Sequence, residues 1–198
     1  MRELTDFLRF ILPHATACPD PTAEDALLAA AREFCEATRC WRETDSFTVK
    51  GHDVEVVCVP PSAVLFEIEK ASFNGRDLDR VSFADARFDR DGPPRQITQS
   101  QPNAVRLAPT GPGTLSISMF LKPALDADVL PYFLFDQWGE TLASGALARI
   151  LVLPDQPFSN PQLAGVHAGI FQSAKDRNFN ASVRGQQRAP RRSRSRYL

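Results

Sequence analysis

Five arginines near the C-terminus, Arg188, Arg191, Arg192, Arg194 and Arg196, are the residues whose type and spacing most clearly point to chemistry with a partner. They are separated only by small or turn residues and are followed by Tyr197-Leu198. Guanidinium forks suit carboxylates and phosphates. The stretch from Lys175 to Leu198 holds eight Lys/Arg and one acid, a net of +7, so the rest of the chain carries −8 of a total of −1. An acidic body with a basic tail implies a separate partner for the tail. Burying Leu198 would contribute about 1.5–3 kcal/mol, while ordering each backbone residue costs about 1–2 kcal/mol. The arm is therefore expected to order only on a partner. A protein surface suits its Tyr-Leu end, DNA phosphates suit its arginines, and an unstructured tail is the bland alternative.

The rest of the chain offers little catalytic patterning. His14 lies in a Pro-bounded loop, His52 in a turn and His167 on a helix, and no metal-ligand spacing links them. There is no nucleophile elbow, no P-loop and no dinucleotide-binding glycine pattern. Gly111-Pro112-Gly113 would make a poor phosphate cradle, because its proline lacks an N–H. Glu67 and Glu69 stand at i and i+2 on one strand face, whereas a glycosidase pair must face across a cleft. They are expected at a solvated edge or against arginines of a neighbouring subunit. Asp85, Arg87, Asp89, Arg90, Asp91 and Arg95 form a loop of mixed sign, a solvated loop or a contact loop between subunits. Cys18, Cys35, Cys40 and Cys58 form no CxxC pair and are expected as reduced, partly buried thiols. No cofactor, no metal and no catalytic residue is expected. Nor is a membrane partner, since no apolar run approaches the roughly 18 residues of a span.

These residues sit on elements that the apolar periodicity outlines. Leu4, Phe7, Leu8 and Ile11 predict a short helix over 3–12. Asp20 as cap and Pro21 at the first helical position start a second, running to about Thr38, with Leu27, Ala31, Phe34, Thr38 and Trp41 as one stripe. Between residues 45 and 123 the pattern predicts five or six short strands. The first two are joined by a turn at Lys50-Gly51-His52-Asp53. Asn74-Gly75 predicts a hairpin whose returning strand is Leu78–Phe83. Residues 84–102 read as a long loop, and Ala104–Leu107 with Thr114–Leu121 as another hairpin. Helical spacing returns after Pro131 with Leu134, Trp138, Thr141, Gly145, Ala148 and Val152. It returns again after Asn160-Pro161 with Leu163, Val166, Ile170 and Ala174. Gly145 inside a helix costs roughly 1 kcal/mol, which a close helix neighbour would offset.

The expected fold is α+β: an antiparallel helical bundle with an inserted antiparallel β domain and an extended basic C-terminal arm. The parts are N-terminal bundle helices over 1–44, the β domain over 45–123, C-terminal bundle helices over 124–185 and the docking arm over 186–198.

Three blocks carry a family likeness: Ala30 to Trp41 (AAREFCEATRCW); Leu130-Pro131 with Trp138 and Gly145-Ala146-Leu147-Ala148-Arg149; and Pro157-Phe158-Ser159-Asn160-Pro161. With this order of elements, the chain resembles the head-to-tail connector (adaptor) proteins of tailed bacteriophages over most of residues 3–175. The size of its β unit is similar to the short-tailed type. The resemblance implies a non-enzymatic virion protein at the head–tail junction, assembled in the host cytoplasm. It implies about twelve copies in a ring beneath the portal protein, joined below to a tail nozzle or tail tube protein. DNA would pass through the channel at ejection without sequence-specific binding. Arg188, Arg191, Arg192, Arg194, Arg196, Tyr197 and Leu198 would then dock on the portal. Two other classes stay open on the residues alone. One is a nucleic-acid-binding module, whose log affinity would fall with log salt at a slope of roughly −0.9 per phosphate contact. The other is a cell-wall hydrolase using Glu67 or Glu69 as its acid.

Overall fold

The computed structural model of the protein describes residues 1–51, 55–89 and 91–179. The expected arm over 186–198 lies outside the described residues, as do His52 and Arg90.

The chain begins with β1 (Arg2–Glu3), a 3-10 turn (Leu4–Phe7) and the single turn α1 (Leu8–Ile11). Leu4, Phe7, Leu8 and Ile11 are all buried, as their spacing requires. The predicted single helix is instead split between two helix types. α2 (Asp20–Thr38) follows. Its N-cap is Pro19, which offers no side-chain cap, so Asp20 is the first helical residue and Pro21 the second rather than cap and first. Asp20 still places a carboxylate at the positive end of the helix dipole. Leu27, Ala31, Phe34 and Thr38 are buried on one face, and Trp41, past the end of the helix, is buried too. Arg39 ends the helix in the left-handed region, with φ 52°.

The β region has more strands than the apolar pattern predicts. β2 (Arg42–Val49), β3 (Val56–Val57), β4 (Ala63–Phe73), β5 (Arg76–Asp77), β6 (Asp79–Arg80), β7 (Gln96–Gln101), β8 (Ala104–Ala108) and β9 (Gly113–Pro123) form two four-stranded sheets. Their orders are β2-β9-β4-β5 and β3-β8-β7-β6. The Asn74-Gly75 hairpin is present, with both residues at positive φ and Phe73 opposite Arg76. Its returning strand is short: β5 ends at Asp77, and β6 leaves to pair in parallel with β7. Among the described residues the sheets are therefore antiparallel but for this one pair.

Three further expectations are corrected. Residues 84–102 are not all loop, because Gln96–Gln101 form β7; its sequence QITQSQ has one apolar residue and no alternation to reveal it. β2 and β3 are not a hairpin, since they lie in different sheets. Neither are β8 and β9: Pro109–Pro112 carries the chain from one sheet to the other. Ala104, Val105, Leu107 and Ala108 are all buried, so β8 is covered on both faces rather than half-solvated like a hairpin arm.

On β9 the alternation holds. Leu115, Ile117 and Met119 are buried in the core, while Ser116 and Ser118 face a polar ladder. Ser46 and Ser116 hydroxyls meet at 2.8 Å, Thr44 donates to Ser118 at 3.3 Å, and Ser118 donates to Glu69 at 2.6 Å.

β10 (Val129–Leu130) pairs with β1, and the chain then enters α3 (Tyr132–Ile150) and α4 (Pro161–Arg177). α3 packs against both α2 and α4. That is why its predicted stripe is too narrow: Leu134 and Gly145 are buried, but so are Leu142, Ala143, Ala146, Leu147 and Ile150, while Val152 lies past the helix and is exposed. On α4 the buried residues are Ala164, His167, Phe171 and Ala174. Of the predicted stripe, Ala174 is buried as expected and Leu163 packs half-buried against the core, whereas Val166 and Ile170 face outward. Over the middle of the helix the inward face is therefore shifted by one residue, about 100° at 3.6 residues per turn. Phe171 fills the space beside Gly145 and Phe34, and its ring buries more area than a valine or isoleucine would. One apolar cluster runs without interruption through the helices and both sheets.

Candidate interaction site

Loop residues 82–95 offer charge to the outside and are held from within. The Ser82 hydroxyl donates to the Asp85 carboxylate at 2.6 Å, closing a turn. The Arg87 N–H donates to the Gln96 side chain at 3.0 Å. Phe88 stacks against Phe83 at 5.4 Å and lies under the Arg106 guanidinium at 3.9 Å, which anchors the loop to β8. Arg95 extends the β7 ladder: its N–H donates to Ala108 at 3.2 Å and its carbonyl accepts from Asp79 at 2.9 Å. Asp85, Arg87, Asp89, Asp91 and Arg95 are exposed. Of these, Arg87, Asp91 and Arg95 line one cleft of about 410 Å³ with Asp79, whereas Asp85 and Asp89 do not. Two arginines and two aspartates thus border one opening, a surface that can pair with charges of either sign.

β9 pairs with β4 beside Glu67, while β5 pairs only with Ser72 and Phe73, so the stretch of β4 that holds Glu67 and Glu69 has a paired strand on one side only, as an edge would. Their arginines come from the same chain rather than a neighbouring subunit: Arg39 reaches Glu67 and Arg42 reaches Glu69, each at 2.7 Å. The αL turn at Arg39 aims that guanidinium back over β4, a placement that spacing along the sequence does not contain.

The helices are tied by a carboxylate on α2. Glu33 receives both Arg149 of α3 and Lys175 of α4. Burial works against its charge, but the Lys175 and Arg149 hydrogen bonds outweigh it and hold the carboxyl below its ordinary range. Arg149 also donates to the Gly145 carbonyl at 2.7 Å. Lys122 of β9 reaches Glu36 in the same way, joining sheet to helix.

Two histidines that no sequence spacing links meet in space. The rings of His14 and His167 stand 5.4 Å apart. His167 is buried, and neither ring nitrogen has a protein hydrogen-bond partner. Burial, with His14 adding to it, pushes the His167 imidazole below its ordinary 6.5. The unfolded chain then binds this proton more readily than the fold does. Stability is complete above pH 6.5 and is lost as pH falls below it toward the folded value. Urea midpoints measured from about pH 8 down to about pH 5.5 should fall in the lower half of that range, and His167→Leu should flatten that fall. An unchanged slope in the variant would assign the effect to other groups.

Among the described residues no group of three or more His, Cys, Asp or Glu is placed to hold a metal ion. No described helix is long and apolar enough to cross a membrane. The four thiols are free; Cys18, Cys35 and Cys58 are buried and Cys40 partly so. The arm residues Arg188, Arg191, Arg192, Arg194, Arg196, Tyr197 and Leu198 lie outside the described residues, as does Arg90 of the loop. No family model matches the chain, and no curated protein matches it.

Proposed function

We propose that this chain is a structural, non-enzymatic head-to-tail adaptor of a tailed bacteriophage. Copies of it form a ring beneath the portal protein and join it to the tail nozzle or tail tube, with DNA passing through the channel. On this reading the helices are an antiparallel bundle into which the β strands are inserted, and the basic segment 186–198 extends to the portal.

The observation that carries the reading is where the three connector-like blocks meet. Ala30 of the first block touches Gly145 of the second: a Cβ on Gly145 would stand 2.8 Å from the Ala30 Cβ. Asn160 of the third block caps α4, accepting from Leu163 at 3.1 Å, and its own N–H donates to Leu151 at 2.9 Å. Residues of these blocks thus lie where α2, α3 and α4 come together, and β2 to β10 fall between α2 and α3, the order that the proposed likeness implies.

The test is electron microscopy and co-sedimentation of the protein mixed with the portal protein of the same virus. Rings on the portal are expected. Removing residues 188–198 should abolish docking and leave the circular dichroism spectrum and melting temperature unchanged. Full-affinity docking by the truncated chain would overturn the arm's role. Tight duplex-DNA binding near physiological salt, weakening steeply as salt rises, would favour the nucleic-acid reading.

A further inference from the structure

Cys35 lies in the last turn of α2, and Cys40 stands just beyond the left-handed residue Arg39 that ends the helix. Reversal of the chain at Arg39 folds Cys40 back, so that the two sulfurs lie 3.9 Å apart and share a hydrogen bond. Cys35 is fully buried, whereas Cys40 is partly exposed. Cys40 is the less buried residue of the pair, so a small reagent would approach from its side, with Cys35 behind it. A disulfide needs the sulfurs at about 2.05 Å. Because Cys40 is outside the helix, closing the remaining distance does not require α2 to unwind.

We propose that Cys35 and Cys40 form an oxidative modification site, at which a peroxide enters at Cys40 and leaves the two residues joined as a disulfide. In the first step the Cys40 thiolate attacks one oxygen of hydrogen peroxide. The O–O bond breaks, hydroxide departs and takes a proton to become water, and Cys40 is left as a sulfenic acid. In the second step the Cys35 sulfur attacks the Cys40 sulfur. The S–O bond breaks, and the hydroxyl leaves as a second water with the Cys35 proton. Two thiols lose two electrons in all, and one peroxide is reduced to two waters.

The surroundings favour Cys40 over the other thiols. The interaction with Cys35 outweighs burial and, with backbone N–H groups of Cys40 and Trp41, holds the Cys40 thiol below its ordinary range. Burial pushes Cys58 up to about 11 and Cys18 upward, the latter aided by Asp20, so both stay protonated and slow to react. The bond would lock the junction between α2 and β2, beside the Arg39–Glu67 ion pair and the buried Trp41.

Trypsin offers a direct readout, because it cuts after Arg32, Arg39 and Arg42 and so separates the two cysteines. The reduced full-length chain is treated with a small molar excess of hydrogen peroxide, alkylated, and digested without reductant. The expected product is the peptide 33–39 joined to the peptide 40–42 with the loss of two hydrogens, while Cys18 and Cys58 carry the alkyl group. Cys35→Ser should stop the reaction at a Cys40 sulfenic acid, captured by a cyclic 1,3-diketone. Cys40→Ser should leave Cys35 reduced. The proposal is overturned if the wild-type chain consumes no thiol, oxidises Cys18 or Cys58 equally fast, or accumulates the Cys40 sulfenic acid without the cross-link. Because the wild-type digest decides the matter, poor folding of either variant does not remove the test.

Discussion

Phe34→Ala is expected to lower the unfolding free energy by about 3–5 kcal/mol, the range for deleting a fully buried phenylalanine ring. Phe34 has no exposed surface and sits where three helices meet. From α2 its ring reaches Trp138 of α3 at 5.0 Å and Phe171 of α4 at 6.1 Å. Truncation therefore removes the transfer energy of the ring and leaves a void that neither neighbour fills alone. Both partners are aromatic, and aromatic pairs add about 0.5–1.5 kcal/mol beyond area. Urea unfolding followed by circular dichroism gives the number, and Trp138 fluorescence should report the loosened contact. Phe34→Leu, which keeps most of the volume, should lose far less. A cost below about 1 kcal/mol for the alanine variant would mean that the three helices do not share this centre.

Gly145→Val should cost about 2–3 kcal/mol or more. A Cβ at this position would lie 2.8 Å from the Ala30 Cβ and 2.8 Å from Cε2 of Phe171. Both contacts come from different helices, so the added side chain cannot escape one by moving into the other. The backbone of α3 must shift, and with it Arg149, whose guanidinium donates to the Gly145 carbonyl and reaches Glu33. Gly169→Ala on α4 is the matched control. A Cβ there meets nothing within 4 Å, so the variant should gain up to about 1 kcal/mol from helix propensity. Equal melting temperatures for the two variants would contradict the close approach of α2, α3 and α4.

Gly145 also shows how far sequence reading reaches. A glycine in a helical run is costly, and the cost implies a close neighbour. Which neighbours they are, Ala30 and Phe171, depends on how three helices cross. The stripe on α2 is legible because Leu27, Ala31, Phe34 and Thr38 are well spaced on a single buried face. The stripe on α4 is not, because two faces compete. Of the predicted set, Ala174 is buried and Leu163 half-buried, but the hydrophobic Val166 and Ile170 face outward while Ala164, His167 and Phe171 take the inward positions. Packing chose the face whose small residues admit a close neighbour and whose one large ring fits beside Gly145.

The same division runs through the candidate sites. The mixed-charge loop was found from its composition. That Arg87, Asp91 and Arg95 share a cleft while Asp85 and Asp89 do not depends on the turn at Ser82 and on the β7 ladder. Glu67 and Glu69 were found as a pair on one strand, but their arginines come from the α2–β2 junction. His14 and His167 are far apart in the chain, and Cys35 and Cys40 stand at a spacing that would put them on different faces of a continuous helix. Only the left-handed turn at Arg39 and the docking of α4 bring these pairs together.

By itself the sequence determined the α+β character, the extents of the long helices, the Asn74-Gly75 hairpin and the inward face of β9. Each rests on local rules: side-chain period, proline and glycine backbone limits, and turn chemistry within a few residues. The tertiary structure alone decided the division of the strands between two sheets, the parallel β6–β7 pair and the inward face of α4. It alone also decided the meetings of Glu33, His167 and Cys35 with their partners. Those outcomes depend on which apolar surfaces close on one another, and that choice minimises exposed area over the whole chain at once.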